Sequence, residues 1–240
     1  MPKNDRAAAT VRWPALRVLV RHPLMLRVRP AVALFFLRYM RKFKARRVGG
    51  NLILHSHLPP LNGKAYGRFV KEQLVERREA PSHAQVGLTN ACPQRCVYCY
   101  NRDRRGQTLE TAEIASVVRD LKRLGVCWLG WTGGEPLLNK DIVRLTEEAA
   151  DGCAVKLFTT GSTLTPELAR DLKTAGLFSV SVSLDHWTAE AHDRNRGVEG
   201  AFATALRAID IFRSVAGLDV GVSTVLSRDM IRRGQTEEFL

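Results

Sequence analysis

The 240-residue chain is 45% hydrophobic and 25% charged, the balance of a globular protein that can bury a sizeable core. Its net charge of +13 suggests nucleic acid or membrane at first, but residues 1–83 hold 18 Lys and Arg against 4 Asp and Glu, whereas 84–240 hold 19 against 20. Five cysteines, three of them crowded into eight positions, argue against a secreted disulfide framework and for a reducing compartment with a metal site.

AVALFFL at 31–37 is the longest apolar run, far short of the ~20 residues that cross a bilayer. Basic residues follow it at once, so neither a transmembrane span nor a signal peptide is expected, and the expected location is the cytoplasm. Phe36, Tyr39, Met40 and Phe43 fall at i, i+3, i+4 and i+7 with Arg38, Arg41, Lys42 and Lys44 between them, which predicts a basic amphipathic helix. Such a helix packs on the rest of the protein with a solvated charged face, lies on an anionic membrane surface as a peripheral contact, or binds RNA or an acidic peptide. The first is the default for a charge run, and nucleic acid is the least favoured because no nucleic-acid fold signature is present. HSHLPPLNG at 55–63 reads as a loop, with a short polar helix expected near 65–80. Residues 1–83 are therefore expected to form a basic, largely helical extension ahead of a separate unit at 84–240.

From residue 84 strand and helix alternate. AQVGLT (84–89) is the first strand, and Ile114, Val117, Val118, Leu121 and Leu124 share one helical face that ends at Gly125. VCWLGWT (126–132) is the second, followed by a Gly-Gly turn and a helix to about 150. After AVKLFTT (154–160), a helix opens on Thr165 as N-cap with Pro166 in its first position and closes at Gly176. SVSVSLD (179–185) is the fourth strand, Phe202, Leu206, Ile209 and Phe212 mark the next helix, and DVGVSTVLS (219–227) is the fifth strand. Strands apolar on both faces and joined by helices predict a parallel α/β sheet. EEFL at the chain end falls where the helix after the fifth strand should begin, so a truncated chain is expected.

Cys92, Cys96 and Cys99, within CPQRCVYCY, occupy the loop after the first strand, where parallel α/β folds place their chemistry. Thiolates are the ligands of iron–sulfur clusters. A four-iron cube on three cysteines keeps one iron free of protein, and an open metal position marks a catalytic site. The residues alone leave a second reading open, a zinc knuckle or electron-transfer cluster completed by Cys127, Cys153 or His83. Cys127 lies inside the second strand and Cys153 just before the third, where a small buried hydrophobe is the expected role.

CPQRCVYCY resembles the three-cysteine motif of the radical S-adenosylmethionine (radical SAM) superfamily, with Tyr98 as the aromatic residue before the last cysteine. Three further segments resemble that family in order. WTGGEPLL (131–138) matches its glycine-glycine-glutamate-proline turn through Gly133, Gly134, Glu135 and Pro136. LFTTGSTL (157–164) matches its threonine-asparagine-glycine turn, except that Thr160 stands where asparagine is usual. SVSLDHWTAEAHDRNRG (181–197) matches the segment that contacts the nucleotide.

Over about residues 84–240, the resemblance implies a partial (β/α)6 TIM-like barrel, here apparently truncated after the fifth strand. It implies a 4Fe-4S cluster on Cys92, Cys96 and Cys99 whose open iron binds the amino and carboxylate groups of SAM. One-electron reduction in that family cleaves SAM to methionine and a 5′-deoxyadenosyl radical, which abstracts hydrogen from the substrate. SAM contacts are implied for Tyr98 (chiefly backbone), for Gly133, Gly134, Glu135 and Pro136 at the amino group, for Ser183 and Arg196 at the carboxylate, and for Asp185 at a ribose hydroxyl. A one-electron donor such as a ferredoxin or flavodoxin is the implied partner. The motifs look most like the peptide-modifying and cofactor-maturing branch, so the substrate is expected to be a peptide or small molecule. No cysteine follows Cys153 that could build that branch's cysteine-rich SPASM domain. Read from residues alone, Arg196 could instead make a surface ion pair with Asp193, and His192 is expected to cap or pack its loop. The alternative function is a non-catalytic metal-binding or membrane-associated adaptor with a degenerate barrel.

Overall fold

The computed structural model describes residues 14–103 and 108–234; the C-terminal EEFL lies outside them. The described chain opens with α1 (Pro14–Arg21), a 3-10 turn (Pro23–Arg27) and α2 (Pro30–Met40). An antiparallel hairpin of β1 (Arg46–Val48) and β2 (Asn51–Ile53) follows, then α3 (Lys64–Phe69), which runs on into a π-helical turn to Val75. These elements share a core that includes Val18, Met25, Met40, Leu61, Tyr66 and Phe69. Two expectations are corrected here. α2 stops at Met40, which leaves Phe43 beyond it, while the face carrying Phe36, Tyr39 and Met40 packs into this core, the default reading of the helix. The segment near 65–80 is not polar, because Tyr66, Phe69 and Val70 are buried.

The regular βα alternation then runs through β3 (His83–Gly87), α4 (Thr111–Leu124), β4 (Trp128–Thr132), α5 (Ile142–Ala150), β5 (Ala154–Thr159), α6 (Pro166–Thr174), β6 (Leu177–Ser183), α7 (Ala189–Arg196), α8 (Ala201–Ser214), β7 (Asp219–Ser223) and α9 (Arg228–Arg232). All five strands are parallel and lie in chain order, β3-β4-β5-β6-β7, the arrangement of a barrel wall. Punctuation follows the sequence. Thr165 accepts a hydrogen bond from Leu168 N with Pro166 in the first position, and Gly125 ends α4 at φ +107°.

The outer face of the sheet is apolar, with Leu129, Trp131, Val155, Leu157, Val180 and Val182 under the helices. The inner face is not, which corrects the expectation of two apolar faces. One rung across it reads Gln85, Gly130, Lys156, Ser179 and Asp219. The serines of SVSVS alternate inward there, a period-2 pattern rather than a doubly buried strand. At the N-terminal ends of the strands, Ile53 packs with Trp128, Ala154 and Phe178, Trp128 Nε1 donates to Ser56 O at 3.0 Å, and Arg46 pairs with Asp219 at 2.5 Å. The hairpin and its loop thereby plug the lower end of the inner face, so chemistry is confined to the other end.

On α4 the buried positions are Ile114, Ala115 and Val118, whereas Val117 and Leu124 are 37% and 53% exposed. A five-residue apolar stripe is wider than the contact the sheet offers, and Ala115 takes the close approach. Phe212→Ala, at a fully buried position on α8, should lower unfolding free energy by about 3–5 kcal/mol. Leu124→Ala should cost no more than about 0.5 kcal/mol. Urea denaturation of the two variants checks both values.

Candidate functional site

The cysteine loop leaves the C-terminal end of β3 and is gripped from two sides. On one side, Gly134 N donates to Thr89 O at 2.7 Å and Glu135 N to Ala91 O at 2.8 Å. A Cβ at Gly134 would lie 2.1 Å from Ala91 O, and one at Gly133 (φ +128°) 2.6 Å from Thr89 O. Both glycines are thus required by close backbone approach, not only by the turn. On the other side, Arg95 N donates to Arg196 O at 2.9 Å and Val97 N to Asn195 O at 3.1 Å, at the last turn of α7.

Four of the expected site residues meet beside the loop. Arg196 is 6% exposed and forms a two-point ion pair with fully buried Asp185, Nη2 to Oδ1 at 2.9 Å and Nε to Oδ2 at 2.8 Å. The Tyr98 hydroxyl donates to Asp185 Oδ2, and the Arg196 guanidinium lies 5.7 Å from the Tyr98 ring centre. Arg196 Nη1 also donates toward Cys96 Sγ at 3.7 Å. Burial, with the Asp185 carboxylate close by, pushes the Tyr98 phenol above its ordinary range. The surface pair with Asp193 does not form, because Asp193 caps Gly200 N and Phe202 N instead. His192 packs as expected, buried, with Nδ1 accepting from Asp185 N. The Asp185 carboxylate is therefore engaged by Arg196, Tyr98 and Val225 N. Ser183, half-buried at the end of β6, has a hydroxyl with no hydrogen bond to another described residue.

Glu135 is the largest departure. Its carboxylate is fully buried and accepts from Thr159 Oγ1 (2.6 Å), Thr160 N (2.7 Å), Thr160 Oγ1 (2.6 Å) and Leu137 N (3.0 Å). All four of these donors belong to the chain itself. The carboxylate clamps the end of β4 to the end of β5, and Thr160, in the place of the usual asparagine, supplies two of the four donors. Sequence reasoning missed Thr159 and Thr160; the TTG turn was visible, but not its partner 25 residues earlier.

Cys127 and Cys153 precede β4 and β5 and His83 opens β3, all at the opposite end of the parallel strands from the cysteine loop. Five-residue strands span about 15 Å, so none of the three can complete a metal site there. Burial also pushes the Cys127 thiol up to about 12 and the Cys153 thiol to about 11, the state of inert buried hydrophobes. Among the described residues no three His, Cys, Asp or Glu side chains are grouped to hold a single metal ion. What the loop offers is three cysteines outside any disulfide within eight positions, a soft donor set that fits an iron–sulfur cluster.

Burial raises the Glu135 carboxyl above its ordinary 4.5, against the opposing pull of its four hydrogen bonds. The fold therefore favours the proton, and this contribution is complete below pH 4.5 and lost as pH rises above it. The stability advantage of the native chain over Glu135→Gln should shrink with rising pH in that window, as read by denaturation at a series of pH values. Thr160→Val, which removes one donor to the carboxylate, should cost about 1.5–3 kcal/mol at neutral pH in the same assay.

The chain matches a sequence profile described as the Radical SAM superfamily over residues 86–238. It is 33% identical over 171 residues to the mycofactocin maturase MftC of Mycobacterium ulcerans (strain Agy99), covering 70% of this chain and 46% of that protein. It is 32% identical over 159 residues to the AdoMet-dependent heme synthase of Methanosarcina barkeri (strain Fusaro / DSM 804), covering 65% and 45%. Among solved structures, anSMEcpe with bound AdoMet and Cp18Cys peptide superposes with a TM-score of 0.54 at 20% identity, over 65% of this chain and 46% of that one. That likeness concerns the fold. The chain spans about half the length of the curated relatives it matches. With the profile covering more than half of its residues, the chain belongs to the radical SAM superfamily.

Proposed function

We propose that Cys92, Cys96 and Cys99 hold a 4Fe-4S cluster and that SAM docks at its protein-free iron. The bound pair would supply a 5′-deoxyadenosyl radical for hydrogen abstraction from a substrate. The observation that carries this reading is the position of the three-cysteine loop, gripped between the Gly133–Glu135 turn and the end of α7 at the C-terminal ends of the parallel strands.

The chain's own residues divide the work. Gly133, Gly134, Glu135 and Pro136 present backbone, not the Glu135 carboxylate, to the SAM amino group, and the Glu135 clamp keeps that turn rigid. Ser183 has an uncommitted hydroxyl for the SAM carboxylate. Arg196, Asp185 and Tyr98 act chiefly by holding the loop, and the Arg196 N–H toward Cys96 Sγ stabilises negative charge on that sulfur. Val97 and Tyr100, 57% and 81% exposed, leave the loop's rim open to an electron donor such as a ferredoxin or flavodoxin. A peptide or cofactor precursor is the favoured substrate class. The peptide bound to anSMEcpe and the heme synthase among the relatives support that class, as does the polar inner face of the sheet. Five cysteines with no disulfide between them support a reducing cytoplasmic setting.

Anaerobic reconstitution followed by SAM and dithionite should yield 5′-deoxyadenosine, and Cys99→Ala should abolish it. An intact cluster that yields none would remove the enzymatic reading. Arg196→Met should keep the three thiols yet weaken cluster retention about 10–100-fold, seen as faster iron loss to a chelator.

A further inference from the structure

The outer face of α2 is apolar and is not covered by the described residues. Val32, Ala33, Phe36, Tyr39 and Met40 face the N-terminal core. At 100° per residue, Leu34, Phe35, Leu37 and Arg38 fall on the opposite arc, and the three apolar ones are 49%, 63% and 43% exposed. Leu26, in the turn just before, is 79% exposed. A helix apolar on both sides is normally covered on both sides.

Charge says what covers it. Residues 18–44 contain seven Lys and Arg and no Asp or Glu. Arg27 and Arg29 stand before α2, and Arg38, Arg41, Lys42 and Lys44 at its end; all six are exposed, and none forms an ion pair with another described residue. Cations therefore bracket the apolar arc at both ends. The arc is one convex helix face, small beside the roughly 1,200 Å² of a stable protein interface. It suits a helix lying at the headgroup boundary of a bilayer, with apolar side chains inserted and cations on anionic headgroups.

We propose that α2 seats its Leu34–Phe35–Leu37 face in an anionic lipid surface, anchored by the arginines and lysines at its two ends. This surface is separate from the cysteine loop and stands or falls independently of the radical reading. It also replaces the amphipathic face drawn from periodicity, since Phe36, Tyr39 and Met40 are spent on the core.

The test is co-sedimentation of the 240-residue chain with vesicles of phosphatidylcholine alone or mixed with phosphatidylserine. Binding is expected to the mixed vesicles only, and to weaken at high salt. Leu34→Ser/Phe35→Ser and, separately, Arg38→Glu/Arg41→Glu should each lower partitioning about tenfold or more with an unchanged circular dichroism spectrum. The charge pair decides the matter if the apolar pair fails to fold. No binding to mixed vesicles, or equal binding by all variants, overturns the proposal. So does a native chain that ignores vesicles and sediments as a dimer, which the apolar pair makes monomeric; that face would then belong to a second copy.

Discussion

The site depends on one steric fact, that the backbone after β4 lies directly on the backbone after β3. With 2.1 Å between Ala91 O and any Cβ at Gly134, no other residue could close that contact without moving the cysteine loop. The two hydrogen bonds made there extend the parallel ladder past the ends of the strands. They transfer the rigidity of the sheet to a loop that has no regular structure of its own. Everything the thiols can do follows from being held at a fixed height above the sheet.

The second grip is electrostatic. Arg196 and Asp185 are both removed from water, and a buried ion pair is worth little unless its geometry is good and its remaining polar atoms are occupied. Here Arg196 Nη2 donates to Asp185 Oδ1 and Nε stands 2.8 Å from Oδ2 without an aligned hydrogen bond, while Tyr98 and Val225 N also donate to the carboxylate. Breaking the pair would strand a charge beside Cys96. Glu135 repeats this logic one strand over, with four donors around a carboxylate that burial opposes. Two buried carboxylates are thus tied into the frame that joins the strand ends around the cysteine loop.

Much of this was legible in the sequence. The five strands, the Thr165–Pro166 start, the Gly125 stop and the three-cysteine loop are local signals, and each appears near where periodicity and turn chemistry put it, although the fifth strand ends at Ser223 rather than 227. What was not legible is long-range. Nothing near Glu135 announces that Thr159 and Thr160 will donate to it, and nothing near Arg46 names Asp219 as its partner 173 residues away. α2 was legible in part: the face that periodicity picks out is the one that packs, but the helix ends before Phe43, and the period gave no sign that Leu34, Phe35 and Leu37 would stay exposed. The inner sheet face misled, since SVSVS reads as strand without saying that its serines point into a barrel.

The central claim is that the three-thiol loop carries a cluster with one iron free for SAM. Mössbauer spectroscopy of the ⁵⁷Fe-reconstituted chain, with and without SAM, tests it most directly. One iron site should separate from the other three when SAM is added. Four sulfur-ligated sites that SAM leaves unchanged would contradict it.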